Sequence, residues 1–384
     1  MKVLFVCNNV YHKGNGQSVA VKASMAALRE HGVDVRLMSI ANPDPNGPQP
    51  EYPLEHWKFP IFEPVIYANG LAYAKIDKKK IREAVEWADI VHIQEGLFLQ
   101  GAALNEARRQ GKTLTATYHV FAQNFNANLG FSKNSPINWP MMYLWRRFVF
   151  DPCTDIQCPT PAVRDQLKKE GYKSRLHVIS NGIAIPAEPV KATLVSAEGT
   201  IDLLCVGRLS KEKSQDTLLK AMRYSRYADR IHLIFAGRGT KEKKYRKMAD
   251  RLLQEGILKT PPTFGFYTHD QLNELAHTSY LYIHCAWVEV EGLSCLEAVR
   301  EGAVPVIAQG DMIGTSVFAL CPESLYPVYD SKALAERIDW WIEHPEKRNE
   351  MAQRYADSAR NYDINKSAEA LVAMFEHALG SKAK

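Results

Sequence analysis

The sequence predicts an α/β protein in which two lobes each contain a parallel sheet covered by helices on both faces. Strand-like apolar runs alternate with helical patterns along the chain, and this alternation is typical of parallel sheets. With 384 residues, the chain is too long for a single hydrophobic core. Residues 186–200 lack periodicity and are expected to be a linker. We therefore expect a first lobe over residues 1–185 and a second lobe, including the linker, over residues 186–361.

The first lobe is expected to begin with a strand, a polar loop and a helix. Residues 3–7 are β-formers, residues 13–18 are a loop with two glycines, and residues 19–31 have a helical pattern. The proline-rich stretch 42–64 is too polar and too broken for regular structure, so we expect a long surface loop there. Further strands of this lobe are expected at residues 89–93, 114–119 and 177–183.

The second lobe contains a candidate phosphate-binding segment. Residues 203–206 form an apolar strand that ends in Gly207-Arg208, and Lys213 follows five residues after the arginine. Ligands bind at the carboxyl ends of the strands in parallel α/β sheets. Arginine offers a planar fork to phosphate oxygens, and lysine offers a compact charge. Arg208 and Lys213 are therefore candidates for binding an anionic ligand.

Two glutamates further along the chain, Glu289 and Glu297, are separated by seven residues that include the step Gly292-Leu293. A run of β-formers, residues 280–287, precedes this segment, and a helical pattern follows it. Free backbone N–H groups at a helix start bind anions, and carboxylates beside them can accept hydrogen bonds from hydroxyl groups. Phosphate binding and hydroxyl binding side by side indicate a sugar nucleotide.

A structural interpretation of Glu297 is also open. Ser294 and Glu297 have the spacing of a capping box, in which the glutamate satisfies backbone groups at the start of a helix over residues 295–302. Such boxes are common, so this segment alone does not decide between a helix cap and a ligand.

With these segments in view, the chain resembles the retaining, nucleotide-sugar-dependent glycosyltransferases with two Rossmann-like lobes (the GT-B architecture, family 4 type). The family's landmarks occur in order: the glycine loop, a strand that starts with aspartate, a strand-end histidine, an Asn-Gly-Ile hinge, Gly-Arg with Glu-Lys, and Glu-x7-Glu. The resemblance covers nearly the whole chain. It implies an α/β fold with a cleft between the lobes and a last helix, within residues 362–384, that crosses back to the first lobe.

The resemblance implies a role for each candidate residue. Arg208 and Lys213 would neutralise the donor diphosphate as the glycosidic bond breaks. Glu289 would hold hydroxyls of the transferred sugar, and His119 would lie near the reacting carbon. A strand-end histidine without a catalytic role stays an alternative for His119. The other donor-binding candidates are Gly16, Gly292 and Leu293 for the phosphates, Glu297 for the ribose, and Gly265 with Phe266 for the base.

Three positions depart from the family's pattern. Ser214 stands where a glycine usually follows the Glu-Lys pair, and Ile93-Gln94-Glu95 continues a strand that often ends in His-x-His. Val120 stands where an acidic residue often follows the strand-end histidine, so an acid–base role at position 120 is excluded. The first two departures leave the donor side intact, whereas the third affects the acceptor side.

Charge is concentrated on the first lobe. Residues 1–185 contain 22 Lys and Arg against 16 Asp and Glu, a net charge of +6, whereas the remainder has 26 against 27, a net charge of −1. Basic clusters on the first lobe could lie on an anionic membrane surface. The clusters are Lys75 with Lys78, Lys79, Lys80 and Arg82; Arg108 with Arg109 and Lys112; and Arg146 with Arg147.

Residues 137–150 are rich in Trp, Met and Phe beside two arginines, a composition that suits an interfacial helix in lipid headgroups. The alternative is that residues 142–150 form a core helix packed on the sheet. No run approaches the roughly 18 uninterrupted apolar residues of a membrane span. The N-terminus lacks a signal-peptide pattern, and the seven cysteines are expected to be reduced, so we expect a cytoplasmic protein, peripheral on the inner face of the membrane.

These observations favour a retaining hexosyltransferase that uses UDP-glucose or a related UDP-sugar. Residues 311–330 resemble bacterial enzymes that glucosylate diacylglycerol, which favours a membrane lipid acceptor. The chain has no Asp-x-Asp pair, so no metal or other cofactor is expected, and no nucleic-acid motif is present. A soluble or polysaccharide acceptor, a non-catalytic sugar-nucleotide-binding protein and a nucleotide-sugar epimerase are alternatives. The sequence does not fix the oligomeric state.

Overall fold

The computed structural model describes residues 1–11, 15–58, 72–128 and 135–382. The chain divides into two compact units. Unit 1 comprises residues Met1–Gly182 together with Ile364–Lys384, and unit 2 comprises Ile183–Asp363. The expected α/β class with two parallel-sheet, Rossmann-like domains is confirmed.

Unit 1 is built on a seven-stranded sheet with the order β3-β2-β1-β6-β7-β8-β9, in which every pair of neighbours is parallel. The strands are β1 (Lys2–Val6), β2 (Asp34–Ile40), β3 (Tyr52–Leu54), β6 (Ile90–Ile93), β7 (Thr113–Thr117), β8 (Asp155–Cys158) and β9 (Arg175–Val178). A separate antiparallel pair consists of β4 (His56–Trp57) and β5 (Tyr73–Ala74).

The described helices of unit 1 connect these strands. They are α1 (Gly16–Glu30), α2 (Lys78–Trp87), α3 (Phe98–Arg109), α4 (Ala122–Asn128), α5 (Asn138–Trp145), α6 (Pro161–Lys169) and α13 (Ile364–Lys382). A π-helical turn, Arg146–Phe150, continues α5. The apolar side of α13 contributes Leu371 and Phe375 to the same core as α1, β1 and β2, so the last helix packs within unit 1.

The expectation of an irregular loop over residues 42–64 is confirmed for residues 42–51, which contain no helix or strand, and is wrong for residues 52–57. β3 and β4 both lie in this stretch, whose residues 59–64 are outside the described range. Tyr52 and Leu54 are buried on either side of Pro53. Because β3 is the edge strand of the sheet, a proline without an N–H is tolerated there.

Residues 138–150 have two different sides, so the interpretation of residues 142–150 as a core helix is correct for one side only. Trp145, Val149 and Phe150 are buried, whereas Trp139 and Phe148 are exposed. No helix among the described residues is both long enough and apolar enough to cross a membrane.

Unit 2 is built on a six-stranded parallel sheet with the order β12-β11-β10-β13-β14-β15. The strands are β10 (Ile201–Val206), β11 (Ile231–Ala236), β12 (Thr263–Gly265), β13 (Leu281–His284), β14 (Val304–Gln309) and β15 (Leu325–Pro327). The α-helices are α7 (Asp216–Ala221), α8 (Glu242–Gln254), α9 (His269–Thr278), α10 (Leu293–Arg300), α11 (Ser331–Glu343) and α12 (Pro345–Ser358).

Residues 186–200 contain no helix or strand, but they are attached to unit 2. The backbone N–H of Ala192 donates to Gln353 at 3.1 Å, and the buried Arg348 donates to the carbonyl of Thr193 at 3.2 Å. Ala192 and Val195 also pack against the core of unit 2.

Each sheet has a topological switch point, at which the strand order reverses and the chain continues on the other side of the first strand. The switch point lies between β1 and β6 in unit 1 and between β10 and β13 in unit 2. Ligands of open α/β sheets bind in the crevice outside the carboxyl ends of the strands at such points. The loops after these four strands are therefore the places where functional side chains are expected.

Candidate active site

The carboxyl ends of β10 and β11 approach each other closely in unit 2, and glycine makes this possible. Gly207 and Gly237 follow the two strands with φ values of +142° and +155°. A Cβ on Gly237 would lie 2.1 Å from the carbonyl oxygen of Gly207, so only glycine fits. The backbone therefore leaves the sheet at this point and begins the loop that carries Arg208 and Lys213.

Lys213 and Glu289 form an ion pair across the switch point of unit 2. Lys213 belongs to the loop after β10, and Glu289 follows β13. Burial by itself raises the pKa of the Glu289 carboxyl, but Lys213 and His284 lower it to about 2. Glu289 is therefore ionised at neutral pH and is held next to a cation.

His284, the last residue of β13, lies beside this ion pair. Its Nε2 is 3.6 Å from the Glu289 carboxylate, and neither ring nitrogen has a hydrogen-bond partner among the described residues. Burial lowers the pKa of His284, whereas the Glu289 carboxylate acts in the opposite direction. A buried polar group without a partner costs free energy, so these nitrogens indicate a position for a ligand or a water molecule.

Arg208 is held by a carboxylate of its own loop. Its Nη2 lies 3.2 Å from Oε1 of Glu212, which is buried, and the Arg208 carbonyl accepts a bond of 2.7 Å from Gln215. The other oxygen of Glu212 has no partner among the described residues. About a third of the arginine side chain stays exposed, so the guanidinium can still reach a ligand.

Ser214 has a φ of +52°, at the position where the family usually has glycine. This backbone conformation favours glycine, which gives a physical reason for the family's preference. Ser214 is buried, and its hydroxyl lies 3.3 Å from that of Thr217, the second residue of α7. The serine therefore keeps the expected loop conformation.

α10 begins at Leu293, directly after Gly292, which has a φ of +85°. A Cβ on Gly292 would lie 2.4 Å from the hydroxyl of Thr315, which is buried and has no hydrogen-bond partner among the described residues. α10 starts four residues after Glu289, and the first backbone N–H groups of a helix are available to a ligand.

The capping-box interpretation of Ser294 and Glu297 is wrong. The helix starts before Ser294, whose hydroxyl instead lies 3.0 Å from that of Tyr282. Glu297 accepts no hydrogen bond from any residue that the structure describes. Burial raises the pKa of its carboxyl, although His269 and Arg300 act in the opposite direction. Glu297 is thus free of the structural role that competed with ligand binding.

The loop after β12 presents an aromatic ring. Phe266 is 52% exposed, and the guanidinium carbon of Arg238 lies 5.1 Å from the centre of its ring. A Cβ on Gly265 would lie 2.7 Å from the Tyr267 ring, so Gly265 permits the close turn that brings these aromatic side chains together.

Two expected site residues, Gly16 and His119, belong to unit 1. Gly16 is the first residue of α1, and the side chain of Asn15 caps this helix by accepting the N–H of Gln17 at 3.0 Å. Lys13 and Gly14, which were expected in the same loop, lie outside the described residues. Nε2 of His119 lies 2.7 Å from the side-chain oxygen of Gln94, and burial lowers the pKa of His119 to about 3.

Sequence reasoning missed a carboxylate at the switch point of unit 1. Glu95 follows β6 and accepts hydrogen bonds from the amides of Asn8 at 2.5 Å, Gln17 at 2.9 Å and Gln100 at 3.1 Å. Burial raises its pKa. Its position directly after a strand was the available signal, but the segment was noted only as a departure from His-x-His.

Three polar residues of unit 2 were also missed: His284, Glu212 and Thr315. Each has a buried polar atom without a partner among the described residues. His284 gave a signal in the sequence, because it stands at the end of an apolar strand, and Glu212 belongs to the Glu-Lys pair among the family's landmarks, but neither was assigned a role. Thr315 could not be distinguished from an ordinary loop residue.

Two family models match the chain and together cover most of it. The model described as Glycosyltransferase Family 4 matches residues 14–185, and the model described as Glycosyl transferases group 1 matches residues 188–358. The chain belongs to these glycosyltransferases. Among curated proteins, none matches its sequence.

Solved structures show the GT-B fold over the full chain. Sucrose-phosphate synthase from Thermosynechococcus elongatus is 18% identical, with 99% of each chain covered and a TM-score of 0.72. HepE of Anabaena in complex with UDP-glucose is 17% identical, with 98% of this glycosyltransferase and 100% of HepE covered and a TM-score of 0.69. The catalytic domain of cholesterol-α-glucosyltransferase from Helicobacter pylori is 40% identical over 42% of this chain and 99% of that one, with a TM-score of 0.38.

Proposed function

We propose that this glycosyltransferase transfers a hexose from UDP-glucose or a related UDP-sugar to a membrane lipid such as diacylglycerol, with retention of the anomeric configuration. The observation that carries the donor side of the proposal is the Lys213–Glu289 ion pair at the switch point of unit 2. In this pair, an ammonium group that suits a phosphate lies next to an ionised carboxylate that suits sugar hydroxyls.

The donor diphosphate is bound by Arg208, Lys213 and the start of α10. The two side chains supply positive charge, and the N–H groups of Gly292 and Leu293 supply hydrogen bonds at a helix N-terminus. As the glycosidic bond breaks, negative charge grows on the leaving diphosphate, and these groups stabilise it. Because they provide the positive charge, we propose that neither a metal ion nor another cofactor is required.

The hydroxyl groups of the donor are bound by carboxylates. Glu289 is ionised, so its oxygens accept hydrogen bonds from hydroxyls of the transferred sugar. Glu297, which has no hydrogen bond to a described residue, accepts the ribose hydroxyls. The exposed ring of Phe266 and the backbone at Gly265 lie along the base.

On the acceptor side, we propose that His119 lies near the reacting carbon. Its low pKa keeps the ring neutral, so it bonds a sugar hydroxyl without adding charge. We propose attack on the front face of the donor, in which the departing phosphate takes the proton of the acceptor hydroxyl. In such a mechanism, positioning of the donor contributes more than a protein base.

A lipid acceptor is supported by the exposed apolar side chains of α5 and by the basic excess of residues 1–185. We therefore propose a peripheral protein on the inner face of the membrane. A soluble or polysaccharide acceptor would not explain why these apolar side chains are exposed. A sugar-nucleotide-binding protein without transfer activity would not need the complete set of Arg208, Lys213 and Glu289.

A donor panel tests the proposal. The purified protein is incubated with a membrane lipid extract and one radiolabelled donor in each reaction. The donors are UDP-glucose, UDP-galactose, UDP-N-acetylglucosamine and GDP-mannose. We expect labelled glycolipid from one UDP-sugar, and NMR of the product should show the α-anomer. A product with the β-anomer would contradict retention. Absence of glycolipid with every donor, combined with transfer to a soluble acceptor, would contradict the lipid acceptor.

A further inference from the structure

Unit 1 presents a concentrated set of exposed apolar side chains. Of the sixteen large apolar side chains that the structure describes as exposed, five lie in residues 137–148 and a sixth is the first residue of α3. We call this set the apolar face. Its members are Phe98, Ile137, Trp139, Tyr143, Leu144 and Phe148.

The segment 137–149, which carries five of these residues, is apolar on its exposed side as well as on its buried side. Its inward side buries Asn138, Trp145 and Val149. On the outward side, the residues follow the spacing of four that aligns side chains along a helix, and Arg147 is the one charged residue among them. Trp139 is 73% exposed and Phe148 is 64% exposed. A helix of a water-exposed surface would carry polar residues on this side.

The apolar face extends beyond this helix. α3 begins at Phe98, which is 64% exposed, and this helix packs against the π-helical turn. A Cβ on Gly96, two residues earlier, would lie 2.9 Å from the ring of Trp145. The ring of Phe98 also lies 6.4 Å from that of the exposed Trp57 on β4. Phe98, on a helix that packs against the π-helical turn, and its neighbour Trp57 therefore add two exposed aromatic rings.

The charged groups around the apolar face are mainly cations. Residues 135–150 and 96–105 contain no Asp or Glu. Arg147 is exposed among the apolar residues, and Lys58 is exposed directly after Trp57. Two other cations of this part of the chain have partners: Lys75 is paired with Glu55 at 2.9 Å, and Arg146 is turned towards Asp151 and the carbonyl of Glu170. The net result is an apolar surface with basic and few acidic neighbours.

We propose that the apolar face binds the headgroup region of an anionic bilayer, with Trp139 and Phe148 inserted among the lipids and Arg147 and Lys58 among the phosphates. Tryptophan and tyrosine are enriched at the membrane interface, and cationic side chains beside them are attracted to anionic lipids. An apolar partner protein or a second copy would not require cations within the surface. The inference rests on the proposed lipid acceptor for its purpose and names the surface through which the enzyme reaches it.

Vesicle flotation of the full chain, without donor, tests this surface. The vesicles contain either phosphatidylcholine alone or phosphatidylcholine with phosphatidylglycerol. We expect binding to the anionic vesicles that weakens with salt. The double variant Trp139→Ser/Phe148→Ser should bind the anionic vesicles at least about tenfold more weakly than the wild type, and Arg147→Glu should show a smaller reduction. The control Leu194→Ser/Tyr224→Ser removes two exposed apolar side chains of unit 2 and should bind as the wild type does.

Two further measurements keep the outcomes distinct. Circular dichroism and thermal unfolding establish that each variant is folded, and transfer to a short-chain lipid in detergent micelles measures the chemistry without a bilayer. Loss of flotation by Trp139→Ser/Phe148→Ser, with its activity in micelles retained, supports the apolar face as the membrane-binding surface. Equal flotation of Trp139→Ser/Phe148→Ser and wild type, or no flotation of either, would overturn the proposal that the apolar face binds the bilayer. This holds even if glycolipid is formed. A dimer in light scattering that dissociates in this variant, without vesicle binding, would assign the apolar face to a second copy.

Discussion

Lys213 forms an ion pair with Glu289, although 76 positions separate the two residues in the chain. The contact joins the loop after β10 to the loop after β13, which are the strands on either side of the switch point. An incoming phosphate can replace the carboxylate as the partner of the ammonium. In the proposed donor site, Glu289 then becomes available to hydroxyl groups.

Removal of either cation should reduce turnover. Arg208→Ala and Lys213→Ala should each lower kcat/KM by at least about tenfold, because each loses charge stabilisation of the leaving diphosphate. The control is Lys220→Ala, which removes an exposed lysine that pairs with Asp216 on α7. Steady-state kinetics with the donor identified in the panel measure the effect. Near-normal turnover of both variants would remove these side chains from the mechanism.

Glu289→Gln should lower turnover without weakening the binding of UDP. The variant leaves Lys213 without its anionic partner, so UDP should bind as tightly as to the wild type or more tightly. Turnover should fall by about a hundredfold, since the amide accepts hydrogen bonds from sugar hydroxyls less strongly than a carboxylate does. Calorimetry with UDP and a transfer assay measure the two effects. A parallel loss of UDP affinity would show that Glu289 serves mainly to position Lys213.

Gly237→Ala should destabilise the protein by about 2 kcal/mol or more. The new Cβ would meet the carbonyl oxygen of Gly207 at 2.1 Å, and the φ of +155° is unfavourable for alanine. Gly16→Ala is the matched control, because a Cβ there meets no atom of the described residues within 4 Å. Urea unfolding compares the two variants. Equal stability would mean that the strand ends of unit 2 are less closely packed than the structure shows.

Acid should destabilise unit 1 through two neutral histidines. Burial lowers the pKa of His92 and of His119 to about 3 in the folded protein, against about 6.5 in the unfolded chain. Below about pH 6.5 the unfolded chain therefore binds protons that the folded protein does not, and stability falls as the pH falls towards 3. Each histidine contributes a slope of about 1.4 kcal/mol per pH unit within this window.

The measurement is the urea midpoint of the wild type and of His119→Gln between about pH 6 and about pH 4. The variant should show a weaker dependence on pH, because one of the two titrating groups is absent. The same dependence in both proteins would mean that His119 is protonated in the folded state.

Much of the fold followed from local patterns. The strand before Gly207-Arg208, the strand after Asp89 and the last helix each have a continuous apolar signal, and the structure contains β10, β6 and α13 there. β3 was missed because it has three residues and a central proline, so its pairing with β2 depends on a tertiary contact. The capping-box alternative for α10 was wrong because Ser294 and Glu297 imitate a cap, whereas the left-handed backbone of Gly292 sets the helix start at Leu293.

The site was predicted only where a side chain has a typical neighbour in sequence. Arg208 and Lys213 stand next to a strand end, but the contact of Lys213 with Glu289 depends on the order of the strands in the sheet. Glu95 and His284 lie at the carboxyl ends of corresponding strands, β6 and β13, and were missed because burial and hydrogen-bond partners are not visible in a sequence. The two sides of α5 were likewise undecided, because Trp and Phe favour a core and a membrane interface equally.

The most direct test is a crystal structure of the wild-type protein with a UDP-sugar or UDP bound. We expect the diphosphate at the carboxyl ends of β10 and β13, with its oxygens about 3 Å from the guanidinium of Arg208, the ammonium of Lys213 and the first N–H groups of α10. A diphosphate bound elsewhere, while Lys213 remains paired with Glu289, would contradict the proposed donor site.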